Sequence, residues 1–198
     1  MNNKELKKAI NHLKNDPVMA AIIGKTEPID YGYTSDPFED LVYSIVSQQL
    51  SDKVSETIFG RIKKLIEKDP PTPGSILEVE DEELRSCGIS YSKITYIKNI
   101  SREVDSGRLD LNKINTYQDQ EVVTELTKIK GIGQWTAEMF LIFTLKRPDI
   151  FSVGDVGLRN AVSRHYGVDK KDIGKINEVS LKWSPYRSVA SRFLWKSL

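Results

Sequence analysis

An acidic residue, Asp155, stands in the segment "IFSVGDVGLRNAV", directly before an apolar run with helical spacing. An aspartate at this position predicts a helix N-cap, which contributes about 1 kcal/mol, and its charge interacts favourably with the helix dipole. The cap alone would explain the residue. A second role is compatible with the first, because a carboxylate also stabilises positive charge that develops in a reaction. Asp155 is therefore the candidate catalytic group.

Two glycines interrupt a helical pattern about 20 residues upstream, in "KIKGIGQWTAEMF" (residues 128–140). Glycine is unfavourable inside a helix and suits positive φ or a close approach of the backbone. Gly131 and Gly133 therefore predict a tight turn between two helices. Amides exposed beside a new helix N-terminus favour an anion, and phosphate suits them best. The alternative is a glycine-rich helix corner that serves packing only.

Aromatic side chains are available to form the walls of a pocket. Helical spacing also makes most of them core candidates, and we assign Phe140 to the core outright. The candidates for the pocket are Trp135, Trp195, Phe38, Tyr43 and Tyr186.

Two adjacent glutamines, Gln48 and Gln49, follow an apolar helical run in "SIVSQQLS" (residues 44–51). Taken alone, they are typical of a polar helix C-terminus. Their significance depends on the resemblance described below.

The elements that must position these residues are helices throughout. The spacing of apolar residues and the Asp-Pro pairs at 16–17 and 36–37 predict helix starts and amphipathic helices, with a hard stop at "DPPTPG". A short strand pair around residues 31–33 is compatible with the loop there. We find no strand–helix alternation, so the fold class is all-α. Further helices are expected near residues 80–86, 92–105, 117–128, 134–146, 155–165, 170–182 and 185–197.

The composition limits the classes of protein to which the chain can belong. The 198 residues are 39% hydrophobic and 29% charged, which is typical of a globular domain, and the net charge of +1 requires any polyanion site to be a local patch. A single cysteine excludes a four-cysteine iron–sulfur cluster, and two distant histidines argue against a zinc site. No segment has the length of a signal peptide core or membrane span, which predicts an intracellular protein.

Several segments together resemble a known family. "LTKIKGIGQWTAEMFLIF" followed by "RPDIFSVGDVGLRNAV" resembles the helix-hairpin-helix, glycine/proline-rich loop and aspartate signature of the DNA glycosylase superfamily. "FEDLVYSIVSQQLSDKVSETI" and "WSPYRSVASRFLW" are similar to its AlkA branch, 3-methyladenine DNA glycosylase II. The resemblance covers residues 12–197 and implies one unit lacking the N-terminal β domain of longer relatives. It implies two helical subdomains, residues 30–115 and residues 1–29 plus 116–198, with the active site in the cleft between them.

The resemblance also implies roles for individual residues. Asp155 matches the catalytic aspartate, and no metal or cofactor takes part in catalysis. A monovalent ion, Na⁺ or K⁺, is expected at the hairpin carbonyls of Ile129 and Ile132. Arg187 matches a family position, although an ion pair is its expected task. The residues implied to contact DNA phosphate are Lys130, Gly131, Ile132, Gly133 and Thr136. The residues implied to line the base pocket are Trp135, Trp195, Met139, Phe38 and Tyr43. The wedge inserted into the duplex is implied to be Gln48, Gln49 or Leu50, with Gln49 favoured.

The implied reaction is hydrolysis of the bond between an alkylated purine and deoxyribose in double-stranded DNA, during base excision repair. Bifunctional members carry a nucleophilic lysine where this chain has Trp135, and an indole forms no Schiff base. A monomeric, monofunctional glycosylase acting at the nucleoid or in the nucleus is expected. Two alternatives stay open: a glycosylase for neutral lesions (hypoxanthine, ethenoadenine or a mismatched pyrimidine), and a non-catalytic DNA-binding module.

Overall fold

The computed structural model describes residues 1–31 and 36–198, and within these residues the regular structure is helical, as predicted. The expected strand pair around residues 31–33 lies largely outside the described residues. No described helix is long and apolar enough to cross a bilayer. The helices are α1 (Asn3–Leu13), α2 (Pro17–Lys25), α3 (Pro37–Ser47), α4 (Asp52–Ile66), α5 (Pro73–Leu77), α6 (Asp81–Ser86), α7 (Tyr91–Asp105), α8 (Asp119–Thr127), α9 (Gln134–Met139), α10 (Val156–Tyr166), α11 (Ile173–Leu181) and α12 (Arg187–Lys196).

The predicted aspartate caps are confirmed at three helix starts. Asp16 accepts a hydrogen bond from the amide of Val18 at 2.9 Å, and Asp36 accepts one from Phe38 at 2.9 Å. Asp155 caps α10 in the same way. In α2 and α3 a proline follows the cap, where its missing N–H leaves no helical bond unmade. Local chemistry therefore determines where these helices begin.

Two departures from the predicted helices occur. The segment after "DPP" forms the short helix α5, because Thr72 and Ser75 form a capping box around Pro73. The helix expected over 134–146 ends at Met139 and continues as a π-helical turn over residues 140–144. This wider turn is followed by a left-handed residue, Lys146, at φ 54°.

The chain divides into two compact units, Met1–Tyr33 with Leu141–Leu198 and Thr34–Phe140. The second boundary differs from the expected position near residue 116, which placed the hairpin with the C-terminal helices. The hairpin instead belongs to the middle unit because that unit's side chains hold it. Asn99 donates to the carbonyl of Lys130 at 3.3 Å, and Gln48 donates to the carbonyl of Gly131 at 3.2 Å.

The unit made of the two chain ends encloses a core of its own around Trp183, Phe193 and Leu158. Helices α10 and α12 pack against each other over this core. The packing matters for function because α10 begins at Asp155 and α12 carries Trp195. The middle unit is centred on α7, whose apolar side packs against α3 and α5.

Candidate active site

Asp155 caps α10, as predicted, and also contacts Trp195. Its Oδ1 accepts the amide N–H of Leu158 at 2.7 Å, which is the N-cap bond of α10. The same oxygen accepts the indole N–H of Trp195 at 2.9 Å. The carboxylate is half-buried. Two donors and a helix N-terminus thus hold a negative charge in one orientation, beside an aromatic wall.

Gly157 makes the approach of Trp195 to Asp155 feasible, and sequence reasoning missed it. A Cβ atom at residue 157 would lie 3.1 Å from Oδ1 of Asp155 and 3.2 Å from Cδ1 of Trp195. Both distances are tighter than nine in ten real Cβ contacts, so the carboxylate or the indole would have to shift by a few tenths of an ångström. The sequence did contain a sign of this role, because a glycine in the first turn of a helix does not stabilise the helix and therefore needs another explanation.

A stack of side chains supports Trp195 from behind. Phe143 lies nearly parallel to the indole, with ring centroids 5.6 Å apart and planes 28° from each other. The guanidinium of Arg192 lies 5.3 Å from the Phe143 ring and 4.3 Å from the Tyr31 ring, and it donates to the carbonyl of Asp30 at 2.8 Å. Burial raises the pKa of Tyr31, and the adjacent guanidinium partly opposes that shift. The sequence had indicated neither Phe143 nor Arg192.

Of the other predicted pocket residues, Tyr186 lies in the unit of the two chain ends, packed against its core. The remaining ones lie in the middle unit and differ in exposure. Trp135 is 40% exposed at the start of α9, whereas Phe38 and Met139 are buried. Tyr43 is half-buried and packs edge-to-face against Phe59. Phe38 and Met139 therefore present little surface to a ligand, and packing accounts for both. The pocket roles of Trp135 and Tyr43 stay predictions.

The two hairpin glycines are required for different physical reasons. Gly131 has a φ of +112°, and a Cβ there would lie 2.7 Å from Cδ1 of Tyr96 and still closer to its Cγ and Cβ. The group that excludes a side chain at Gly131 is thus the Tyr96 ring from α7. Gly133 is the N-cap of α9 with an ordinary φ of −92°, and nothing lies within 4 Å of its Cβ position. Only Gly133 leaves open space in front of the hairpin.

The predicted phosphate site consists mainly of backbone groups. Gly133 caps α9, and its carbonyl accepts the amide of Ala137 at 3.1 Å. The amides before Ala137 belong to a helix N-terminus, which favours an anion. The side chains of Ile132 and Thr136 are buried, so any contact they make to phosphate must come from the backbone. Lys130 is exposed.

The predicted wedge residues follow α3, and the structure separates them. Gln48 donates its side-chain amide to the hairpin carbonyl of Gly131, so its side chain is already used inside the protein. Gln49 is exposed and has a left-handed φ of 59°, and Leu50 is 39% exposed. The geometry favours Gln49 and Leu50 over Gln48, and the wedge itself stays a prediction.

The predicted structural ion pair of Arg187 is confirmed. Its Nε and Nη2 donate to the two carboxylate oxygens of Asp149 at 2.8 and 3.0 Å. Burial by itself would raise the pKa of Asp149, but hydrogen bonds from Arg187 and Ser184 hold it below its ordinary value. Lys128 is likewise engaged, in an ion pair with Glu125. Neither residue is needed to build the site around Asp155.

Within residues 1–31 and 36–198, no group of three or more histidine, cysteine, aspartate or glutamate side chains is arranged to hold a metal ion. The single cysteine, Cys87, is buried, and burial raises the pKa of its thiol. The site therefore consists of a positioned carboxylate beside an aromatic side chain.

Comparison with known proteins identifies the family of the chain. The family model described as "HhH-GPD superfamily base excision DNA repair protein" matches residues 42–185. The chain is 32% identical to DNA-3-methyladenine glycosylase 1 of Schizosaccharomyces pombe over 90% of this chain and 80% of that protein. It also resembles the crystal structure of a DNA-3-methyladenine glycosidase from Bacillus halodurans, with 39% identity, a TM-score of 0.80 and coverage of 93% and 86% of the two chains. The S. pombe 3-methyladenine DNA glycosylase Mag1, in complex with abasic DNA, matches with 31% identity, a TM-score of 0.83 and coverage of 96% and 95%.

Proposed function

We propose, from the chain's membership of the HhH-GPD superfamily of base excision DNA repair proteins, that it is a monofunctional DNA glycosylase that removes alkylated purines such as 3-methyladenine and 7-methylguanine. One observation carries the proposal. The carboxylate of Asp155 is held in place by hydrogen bonds from the indole of Trp195 and the amide of Leu158. The relatives named as 3-methyladenine glycosylases support the choice of substrate.

The chemistry follows from the substrate. A base stacked inside a duplex cannot be reached, so the nucleotide must be extruded, at a cost of about a few kcal/mol that is lower for a weakly paired, damaged base. Alkylation of a purine ring nitrogen makes the base cationic, and its departure neutralises it. The sugar left behind develops oxocarbenium character. The negative charge of Asp155 stabilises that sugar and orients the attacking water.

Trp195 contributes to both binding and chemistry. Its ring face attracts a cationic base, an interaction of about 1–2 kcal/mol when desolvated. Its N–H fixes one oxygen of Asp155, so the carboxylate does not need to reorganise when charge develops. The Phe143 ring stacked behind the indole restricts its rotation. A rigid wall lowers the entropic cost of holding the flipped base.

The hairpin anchors the DNA backbone in this proposal. The amides of the first turn of α9 bind a phosphate, and Gly133 leaves room for it. A monovalent cation beside the phosphate would neutralise part of its charge, with Ile129 and Ile132 supplying the carbonyl oxygens. The carbonyl of Ile129 accepts the amide of Ile132 at 3.0 Å, and a carbonyl has a second lone pair for a cation. This spare lone pair of Ile129 is what supports the proposed ion site.

We propose no lyase step, because Trp135 occupies the position of the nucleophilic lysine of bifunctional members. An indole nitrogen cannot form the Schiff base that opens the sugar. The product is then an intact abasic site, released by a monomer that works without a cofactor. Incubation with alkylated duplex, with and without hot alkali, tests this: strand breaks should appear only after alkali.

A panel of duplexes, each with one modified base, tests the proposed substrate. The proposal predicts release of 3-methyladenine and 7-methylguanine. Release of only neutral lesions, such as hypoxanthine or ethenoadenine, would show that cation recognition by the aromatic wall is wrong. Binding without release of any base would favour the non-catalytic module.

A further inference from the structure

Lys93 lies on α7, half-buried, with its ammonium group against the end of α3. Its Nζ donates to the carbonyls of Val46 and Gln48, both at 2.7 Å. The last carbonyls of a helix lack intrahelical donors and carry partial negative charge. One cation thus caps α3 and also binds the first residue of the turn that follows it.

That turn presents the two exposed wedge candidates. The amide of Leu50 bonds to the carbonyl of Ser47 at 3.0 Å, which closes the turn. Gln49 at its tip has a φ of 59°, a conformation that residues other than glycine keep only where their surroundings hold it. The carbonyl that Lys93 binds on Gln48 immediately precedes this strained residue. The lysine is therefore placed to hold the strained conformation.

Helix α7 also holds the hairpin. Tyr96 and Asn99 follow Lys93 at intervals of three residues, so each is a surface neighbour of the one before it. The Tyr96 ring fills the space over Gly131, and Asn99 binds the carbonyl of Lys130. Gln48 links the turn to the hairpin directly through the Gly131 carbonyl. Turn and hairpin are therefore fixed to one helix.

We propose that Lys93 is a positioning residue that sets the 48–50 turn for insertion into the DNA duplex, with α7 as the common support of turn and hairpin. The proposal rests on the proposed function and assigns Lys93 no contact with the substrate. Withdrawal from water lowers the pKa of this lysine.

The substitution Lys93→Met keeps the length of the side chain and removes the donor. The loosened turn should lower excision from a paired duplex by about 10- to 100-fold, as a small misplacement of a positioned group does. Excision from a single strand should stay within about twofold of wild type, because no stacked partner leaves a gap to be filled. Lys93→Arg, which can still donate to both carbonyls, should restore most duplex activity.

Lys98→Met is the matched control. Lys98 lies on the same helix, its side chain is also largely buried, and its Nζ donates to the carbonyl of Val79 at 2.8 Å. Its substitution should lower thermal stability without a selective loss on the duplex. If Lys98→Met reproduces the duplex-selective loss, general destabilisation explains the effect and the proposal is wrong.

Hydrogen exchange of a peptide covering residues 47–51 gives a readout independent of activity. Exchange should be faster in Lys93→Met and unchanged in Lys98→Met. Unchanged exchange in folded Lys93→Met overturns the proposal. If Lys93→Met does not fold, Lys93→Gln, whose shorter side chain cannot bridge the carbonyls of Val46 and Gln48, is measured instead under the same criteria. A wild type that excises no base contradicts the proposed function, and exchange still decides whether Lys93 holds the turn.

Discussion

The substitution Gly131→Ala tests whether Tyr96, rather than DNA, excludes a side chain from this position. The new Cβ would lie 2.7 Å from Cδ1 of Tyr96 and closer to two more of its atoms, so the ring must move. Overpacking of this kind costs about 1–3 kcal/mol. The φ of +112° adds about 1–3 kcal/mol of backbone strain. The expected loss of unfolding free energy is thus about 2–6 kcal/mol.

Gly133→Ala is the matched control, two residues away in the same hairpin. Its φ is ordinary and its Cβ position is open, so only the weaker capping by alanine remains, at about 0.5–1 kcal/mol. Its effect should appear in DNA binding instead, because the added methyl group occupies the space left for a phosphate. The two alanines should therefore separate stability from binding.

Urea unfolding followed by circular dichroism measures the stabilities, and fluorescence anisotropy with an abasic duplex measures binding. A double-mutant cycle with Tyr96→Ala isolates the clash. Without the ring, Gly131→Ala should lose only the strain, so the coupling energy should be about 1–3 kcal/mol. A Gly131→Ala variant as stable as Gly133→Ala, or a coupling energy near zero, would refute the reasoning.

Three further predictions concern separate features. Trp195→Phe keeps an aromatic ring but removes the donor to Asp155, so single-turnover excision should fall about 10- to 100-fold with little change in thermal stability; an unchanged rate contradicts the role of the N–H. Asp149→Asn should cost about 1–3 kcal/mol at pH 7 through the ion pair with Arg187. Folding lowers the pKa of Asp149, so the carboxylate contributes its full stabilisation above the ordinary pKa of 3.8 and loses it as the pH falls through the folded-state pKa. In urea unfolding, the difference in unfolding free energy between wild type and Asp149→Asn should therefore shrink in acid. A difference that does not depend on pH counts against the ion pair. Lys130→Gln should reduce the slope of log affinity against log salt by about 1, and an unchanged slope removes it from the phosphate contacts.

The all-α class, the helix order and the caps could be predicted because they depend on local signals. Asp16, Asp36 and Asp155 each precede an apolar pattern of helical period, and capping requires only backbone amides two or three residues away. The motif around Asp155 was specific enough to indicate the family. Local chemistry and family pattern agree at this point of the chain.

Contacts between distant segments could not be predicted from one sequence. The ring of Tyr96 meets Gly131 from another helix, and the stack of Arg192, Phe143 and Trp195 joins a π-helical turn to the last helix. Nothing in the spacing of these residues indicates that they meet. The observed division of the chain differs from the expected one for the same reason, because hydrogen bonds from Gln48 and Asn99 keep the hairpin in the middle unit.

Asp155→Asn tests the central claim most directly. The amide keeps an oxygen that caps α10 and accepts from Trp195, while the negative charge is lost. Single-turnover release of 7-methylguanine from duplex DNA should fall by at least about a hundredfold, and the affinity for an abasic duplex should be retained or increased. Release at the wild-type rate by the folded variant would contradict the claim that this carboxylate performs the reaction.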